Sequence, residues 1–323
     1  AVACAHALQA EMARLRSVET PGGTSMPLGL KVAIAAGPAR RLLAGDPAVY
    51  VIEILAGGTL DRMAAAEKLA GRGEIVVTSE VAAAMPGLAV TAWREHGGER
   101  FAALARQEPP EPEAAPAPAV DEATARPWLL PPVFAHLQVM PDAFLAGLRS
   151  GVSLFLKFSG IDYDRDDDAG DKLDAFVRAA QGVLKRFEGY IIQITMGDKG
   201  SYLYASFGAP VAHEDDTARA AAAALALRDL VGTLDFFQTP QIGISRGLVH
   251  SGAYGSPDRR TYGVIGNEVN IAARLMTAAA PGQILISERV AELIGGEFDL
   301  EELPPVRLTG VEGSFAVWQL RGR

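Results

Sequence analysis

The sequence predicts an α+β fold, an antiparallel sheet covered by helices mainly on one face, and three observations carry that reading. Strand, helix, tight hairpin, helix and strand patterns follow one another between residues 153 and 255. Turn residues punctuate that order at Gly189 and at Gly197-Asp198-Lys199-Gly200. The later part of the pattern also recurs earlier in the chain at a nearly constant offset.

Each element has its own signal. Residues 153–159 (SLFLKFS) read as a strand that leads into an acidic loop, IDYDRDDDAGD. From Leu173 the apolar residues Phe176, Val177, Ala180, Val183, Leu184 and Phe187 fall at helical spacing, with Asp171 near the start and Gly189 just past the end. Residues 190–196 and 201–207 flank the MGDKG turn and predict a β-hairpin, with Met196 and Phe207 as core. A second helix is expected over about 216–230, then the strand QIGISRGLVHSGAYG, the turn SPDRR and a short strand through Val264. A helix from about Glu268 to Ala279 and the strand QILIS complete the run.

The composition excludes several function classes. With 323 residues the chain is long enough for two cores. Thirty Lys and Arg against thirty-nine Asp and Glu leave a net charge of −9, which disfavours a general nucleic-acid binder. The single cysteine, Cys4, permits no intrachain disulfide, and a reducing, cytoplasmic setting is expected. The apolar run 220–227 is closed by Arg219 and Arg228 and is too short to span a bilayer. The chain starts at Ala1 with an amphipathic helical pattern rather than a signal peptide, and is expected to continue a longer protein.

Residues 107–130 open with QEPPEPEAAPAPAVDEATAR, a Pro, Ala and Glu-rich stretch that interrupts every periodic pattern and reads as a linker. It divides residues 1–106 from 131–323. Gly37 and Gly45 match Gly247 and Gly255 at an offset of 210, and Gly57, Asp61, Gly73 and Ile75 match Gly266, Asn270, Gly282 and Ile284 at 209. The expected organisation is therefore the C-terminal half of a degenerate first copy, the linker, and a complete second copy.

The segment TYGVIGNEVNIAARLMTAAAPGQILIS resembles the signature of class III nucleotidyl cyclases, the adenylyl and guanylyl cyclase catalytic domain. The tandem of unequal halves, the MGDKG turn and Asp61 in place of Asn are most similar to the soluble adenylyl cyclases. The resemblance implies a ferredoxin-like antiparallel sheet and a site built where two such domains pair. It also implies conversion of ATP to cAMP and pyrophosphate, with ATP or GTP as substrate and with no nucleic-acid or membrane partner.

Spacing bears on the chemistry independently. Asn270 and Arg274 stand four apart on a predicted helix, which sets their Cβ atoms about 6 Å apart on one face. Cyclisation is an in-line attack of the ribose 3′-oxygen on the α-phosphorus, so it needs positioning and stabilisation of phosphate charge. An amide that orients a ribose and a guanidinium that grips phosphate meet those needs. The resemblance assigns these roles to Asn270 and Arg274; the plainer alternative is a helix-start amide and a surface ion pair. In the first copy Asp61 and Ala65 occupy the corresponding positions.

The resemblance further implies two Mg²⁺ or Mn²⁺ ions held by two aspartates, one on the first strand and one at the hairpin turn. Here the first-strand position is Lys157 and the turn position Asp198, a weak candidate ligand that reads better as a turn residue. The metal ligands are accordingly expected from the first copy, upstream of residue 1, and this chain alone is expected to be inactive. The base-reading positions are Gln193 and Gly263, next to Val264 in the expected nucleotide site. Asp162, Asp164, Asp166, Asp167 and Asp168 lack the spacing of a calcium loop and read as a solvated helix lead-in. Two other readings remain beside the enzyme: a catalytically silent cyclase-homology module that binds nucleotide or regulates an attached domain, and a dimerisation scaffold. Retention of Asn270 and Arg274 argues against the scaffold, whereas Lys157, Gln193 and Gly263 keep the silent module open.

Overall fold

A computed structural model describes residues 1–15, 17–20, 22–108, 119–139, 146–196, 200–256, 259–308 and 313–323. The chain divides into two compact units, Ala1–Arg40 with Leu55–Pro116, and Arg41–Ile54 with Ala117–Arg323. The boundaries read from the sequence differ here, since they keep 41–54 with the first part and leave 117–130 as linker.

The first unit begins with α1 (Val2–Arg14) and the short pair β1 (Ser17–Glu19) and β2 (Ser25–Pro27). The strands β3 (Val32–Ile34), β4 (Arg40–Ala44) and β5 (Ile52–Ala56) follow, then α2 (Gly58–Leu69), β6 (Ile75–Thr78), α3 (Ser79–Ala84), β7 (Val90–His96) and β8 (Glu99–Leu104). β4 and β5 pair with each other, and residues 41–54, which include most of both strands and the segment between them, belong to the second unit. The remaining sheet has the order β3-β6-β8-β7, parallel only between β3 and β6. Val76, Val77 and Phe101 are fully buried in it.

The second unit starts with α4 (Glu122–Ala125) and α5 (Pro131–Val139), inside the stretch read as linker and just beyond it. Then come β9 (Gly147–Phe158), α6 (Ala169–Arg186), β10 (Tyr190–Thr195), β11 (Ser201–Phe207) and α7 (Asp216–Gly232). β12 (Gln241–Ser256), β13 (Arg259–Ile265), α8 (Asn267–Ala278), β14 (Ile284–Ser287), α9 (Glu288–Ile294), β15 (Asp299–Val306) and β16 (Phe315–Gly322) complete it. The sheet runs β10-β11-β9-β12-β14-β16-β15, with β13 paired to β12, and among these pairs only β12 and β14 are parallel.

Both faces of this sheet are covered, which explains the unbroken apolar run in β9. Val152, Leu154, Leu156 and Phe158 point into one core with Leu173, Phe176 and Leu184 of α6, Leu227 of α7 and Ile294 of α9. Phe155 points the other way, into a smaller cluster with Tyr204, Val249, Val264 and the α8 residues Ala272 and Met276. The expected α+β architecture is thus present, with α6, α7 and α9 on one face and α8 alone on the other.

Two stretches depart from the sequence reading. β9 begins six residues before the expected strand, because residues 147–151 pair in register with residues 247–251 of a long β12. The C-terminal hairpin β15–β16 was not expected, since Pro304 and Pro305 disfavour a ladder. The pairing shifts register between Leu303 and Val306, and β15 is an edge strand, where missing N–H donors are tolerated. Among the described residues no helix is long and apolar enough to cross a membrane.

Candidate functional site

The site is organised by α8. Its inner stripe, Ile271, Ala272, Leu275 and Met276, is buried, whereas Asn270 is exposed and Arg274 half-buried on the outer face. This is the face relation that i and i+4 spacing predicts.

Two contacts fix how closely the helix lies on the sheet. A Cβ added to Gly243 of β12 would come within 2.2 Å of both Ala272 O and Met276 N, so only glycine lets the backbones approach this far. In the first turn of α8, the Ser245 hydroxyl donates to Glu268 Oε2 at 2.6 Å. A side chain at Gly247 would collide with Glu268 Cγ at 2.5 Å. The helix is therefore pinned at its start and at its middle, which sets where Asn270 and Arg274 stand on it.

The remaining expected site residues lie on β10 and β13, which are neighbours. Gln193 is exposed and pairs with Tyr204 of β11, at an irregularity in the ladder between Ile191 and Gln193. Gly263 faces Gly252 across the β12–β13 ladder, and a Cβ there would meet the Tyr254 ring at 2.9 Å. Val264 differs in kind. Its side chain is 3% exposed and packs among Phe155, Val249 and Met276, and its carbonyl accepts from the Tyr204 hydroxyl at 3.3 Å. It supports the site from beneath.

Tyr204 was not singled out in the sequence. Its ring stacks on Phe155 with centroids 4.5 Å apart, its hydroxyl also contacts Ser153 Oγ at 3.4 Å, and burial pushes its phenol well above the ordinary range. The hydroxyl therefore stays protonated and ties β9, β11 and β13 together. Alternation on β11 places Tyr204 inward, but only the tertiary structure shows which carbonyl it meets. Gly243 was equally hidden, because a glycine in a β-branched strand does not say what approaches it.

The described residues do not gather a two-metal site. Lys157, half-buried on β9 opposite Tyr202 and Gln241, puts an ammonium where a carboxylate would be required. Among the described residues no three His, Cys, Asp or Glu side chains gather to hold a metal. Asp198 lies outside the described residues. In the acidic loop, Asp162 Oδ1 accepts from the backbone N–H groups of Asp164 and Arg165 at 3.0 and 3.1 Å. Asp166 accepts from Asp168 N at 3.0 Å and pairs with Lys172 at 2.7 Å. These carboxylates build turns that lead into α6.

Part of this chain is similar to known proteins. Residues 172–322 match the family model for the adenylate and guanylate cyclase catalytic domain. Human adenylate cyclase type 10 is 30% identical over 186 residues, 56% of this chain and 11% of that protein. The rat protein of the same name is 32% identical over 134 residues, 41% of this chain and 8% of that one. The chain thus spans a small part of these relatives' length. Among solved structures, the adenylyl cyclase CyaB from P. aeruginosa superposes with a TM-score of 0.50 at 21% identity, covering 55% of this chain and 96% of its own. The guanylate cyclase domain of RhGC from Catenaria anguillulae, in complex with GTP, gives 0.50 at 22%, covering 55% and 100%. These two similarities establish the fold.

Proposed function

The second unit of this chain, over residues 172–322, belongs to the adenylate and guanylate cyclase catalytic domain family, and on that premise we propose that it supplies one half of a nucleotidyl cyclase site converting ATP to cAMP and pyrophosphate. The observation that carries the proposal is the outward placement of Asn270 and Arg274 on a helix that Gly243, Ser245 and Glu268 hold in place. In this reading the Asn270 amide orients the ribose so that its 3′-oxygen lies in line with the α-phosphorus. A bond forms between the 3′-oxygen and the α-phosphorus as the bond from that phosphorus to the α,β-bridging oxygen breaks; the hydroxyl proton passes to solvent water, and pyrophosphate leaves with the bridging oxygen. Arg274 holds the charge that grows on the phosphate oxygens. Gln193 meets the purine edge, where its amide can both donate and accept.

No step is routed through metal ions, because Lys157 makes this unit a poor donor for them. We assign that role to a second cyclase homology domain paired with this one. The first unit offers Asp61 and Ala65 where the second has Asn270 and Arg274, so a single Asn/Arg site is proposed for the pair. Its sheet order β3-β6-β8-β7 repeats β12-β14-β16-β15, with Val32↔Ile75 paralleling Ile242↔Ile284, which supports reading it as a degenerate copy.

A second reading, a silent module that binds nucleotide, is kept open by Lys157, Gln193 and Gly263. A cyclase assay separates the two. The chain with Mn²⁺ and ATP is expected to yield no cAMP above background, and a cyclase homology domain carrying both metal aspartates is expected to restore turnover. Robust cAMP from the chain alone would overturn the division of labour; nucleotide binding with no turnover after complementation would establish the silent module.

A further inference from the structure

The second unit contains a cavity of 490 Å³ away from α8, at the junction of α6 and β10. One wall is the end of α6 with Leu184 and Lys185, followed by Gly189, Tyr190 and Ile191. The opposite wall is the turn between β4 and β5, at Val49 and Tyr50, together with Arg126 and Pro131.

These walls are held together by hydrogen bonds. Gln181, 5% exposed, donates from Nε2 to Tyr50 O at 2.6 Å and accepts at Oε1 from Asp46 N at 2.8 Å. Val51 N donates to Pro127 O at 2.7 Å. The carbonyls at the end of α6 are closed by Gly189 N on Leu184 O at 2.9 Å and Glu188 N on Lys185 O at 3.2 Å, so they do not turn bare acceptors toward the cavity. A preformed, mostly apolar cavity of this size matches small-molecule sites.

Its charged lining residues are Arg126, Lys185 and Glu188. Glu188 is committed elsewhere, its Oε2 receiving Arg219 at 2.6 Å and His213 at 2.9 Å. Arg126 stacks its guanidinium on Phe134 at 4.9 Å and, among the described residues, donates to the Leu129 carbonyl at 3.5 Å. Lys185 is exposed at the rim and, like Arg126, has no carboxylate partner among the described residues. Burial pushes the Tyr50 and Tyr190 phenols up, so both remain neutral. Two cations at the edge of an apolar chamber fit a compact hydrocarbon body bearing one anionic group.

We propose that this cavity is a regulatory site for a small aromatic carboxylate, held by Arg126 and Lys185 with its ring against Leu184, Ile191 and Pro131. Gln193 lies three residues beyond Tyr190 on β10, so a ligand that fixes the α6–β10 junction restrains the strand that carries it. Ligand binding is tested by itself and stands apart from the cyclase reading; only the regulatory consequence through Gln193 rests on that reading.

Calorimetric titration of the full 323-residue chain with 2-naphthoate is expected to show saturable one-to-one binding. The uncharged 2-naphthamide should bind about tenfold more weakly, the effect of one charge-assisted contact. Lys185→Gln and Arg126→Gln should each weaken naphthoate by a similar factor, while Arg186→Gln, one residue outside the cavity, should not. Ala48→Trp, which fills the chamber, should abolish binding with the thermal transition retained. Equal affinity for acid and amide, indifference to both cation variants, or no saturation below about 5 mM would each overturn the proposal. Should a cation variant fail to fold, contacts between naphthoate and the Ile191 methyls by nuclear Overhauser effect decide it in the unmodified chain: their presence supports the site and their absence refutes it.

Discussion

Arg274 and Glu74 show how a charged side chain acts differently according to what its neighbours have already settled. Arg274 sits on the outer face of α8, away from the buried stripe of Ile271, Ala272, Leu275 and Met276, so its removal should act on the reaction more than on the fold. In the complemented enzyme, Arg274→Ala is expected to lower kcat by about 10²–10³-fold with modest change in KM, as expected for a group that holds charge appearing in the transition state. Equal losses in binding and rate would count against that role. Glu74 in the first unit is structural. Arg94 grips it with two bonds of 2.7 Å and Gly71 N donates at 2.6 Å, which together lower its carboxyl from 4.5 to about 2. A depressed folded-state value means the contribution is complete above about pH 4.5 and is lost as pH falls toward about 2. The carboxylate is 37% exposed, so solvent screening reduces the effect to about 1 kcal/mol. Glu74→Gln should therefore destabilise the first unit in denaturant titrations at pH 7, and the two curves should converge toward pH 2. A gap that persists at pH 2 would mean that packing, not charge, is responsible.

At the scale of elements, α6 and α8 were legible because each buries one stripe, so its period survives in the sequence, and the β10–β11 hairpin because its turn residues interrupt two apolar runs. The Asn270 and Arg274 pair was legible for the same reason. The C-terminal hairpin was not, since Pro304 and Pro305 are allowed only by its edge position and register shift, which are properties of the whole sheet. The early start of β9 was hidden likewise, because its first residues are held by β12 and not by a core-facing pattern. Gly243 joins the two levels. It is a local residue whose identity is dictated by a helix that follows it in sequence, and its φ is not in the left-handed region, so the demand is one of space alone. Gly243→Ala must lift α8 from the sheet or distort β12, at a cost of about 3 kcal/mol. Urea unfolding should show that loss, together with weakened nucleotide binding. Unchanged stability would show that α8 is free to slide.

For the whole molecule, the strongest departure from a linear reading is that residues 41–54 belong to the second unit although the residues on either side group with the first. No sequence period announces this, because the segment's partners come from far along the chain. Ala44, Ile52 and Ile54 are at most 8% exposed and join the main core with Leu173 and Phe176. Gly45 N donates to Asp174 Oδ1 at 2.8 Å, and Gln181 is satisfied by Asp46 and Tyr50. A protein trimmed to residues 117–323, the natural choice from the composition of the linker, therefore loses three buried apolar side chains and leaves Gln181 without its partners. Each lost aliphatic is worth about 1–3 kcal/mol and the orphaned amide a similar amount. The trimmed protein should melt well below the second unit of the full chain, and adding residues 41–54 as a separate peptide should raise its transition in a saturable way. Identical melting temperatures would show that this segment only rests on the second unit; a melting deficit that the peptide repairs would show that it completes the core.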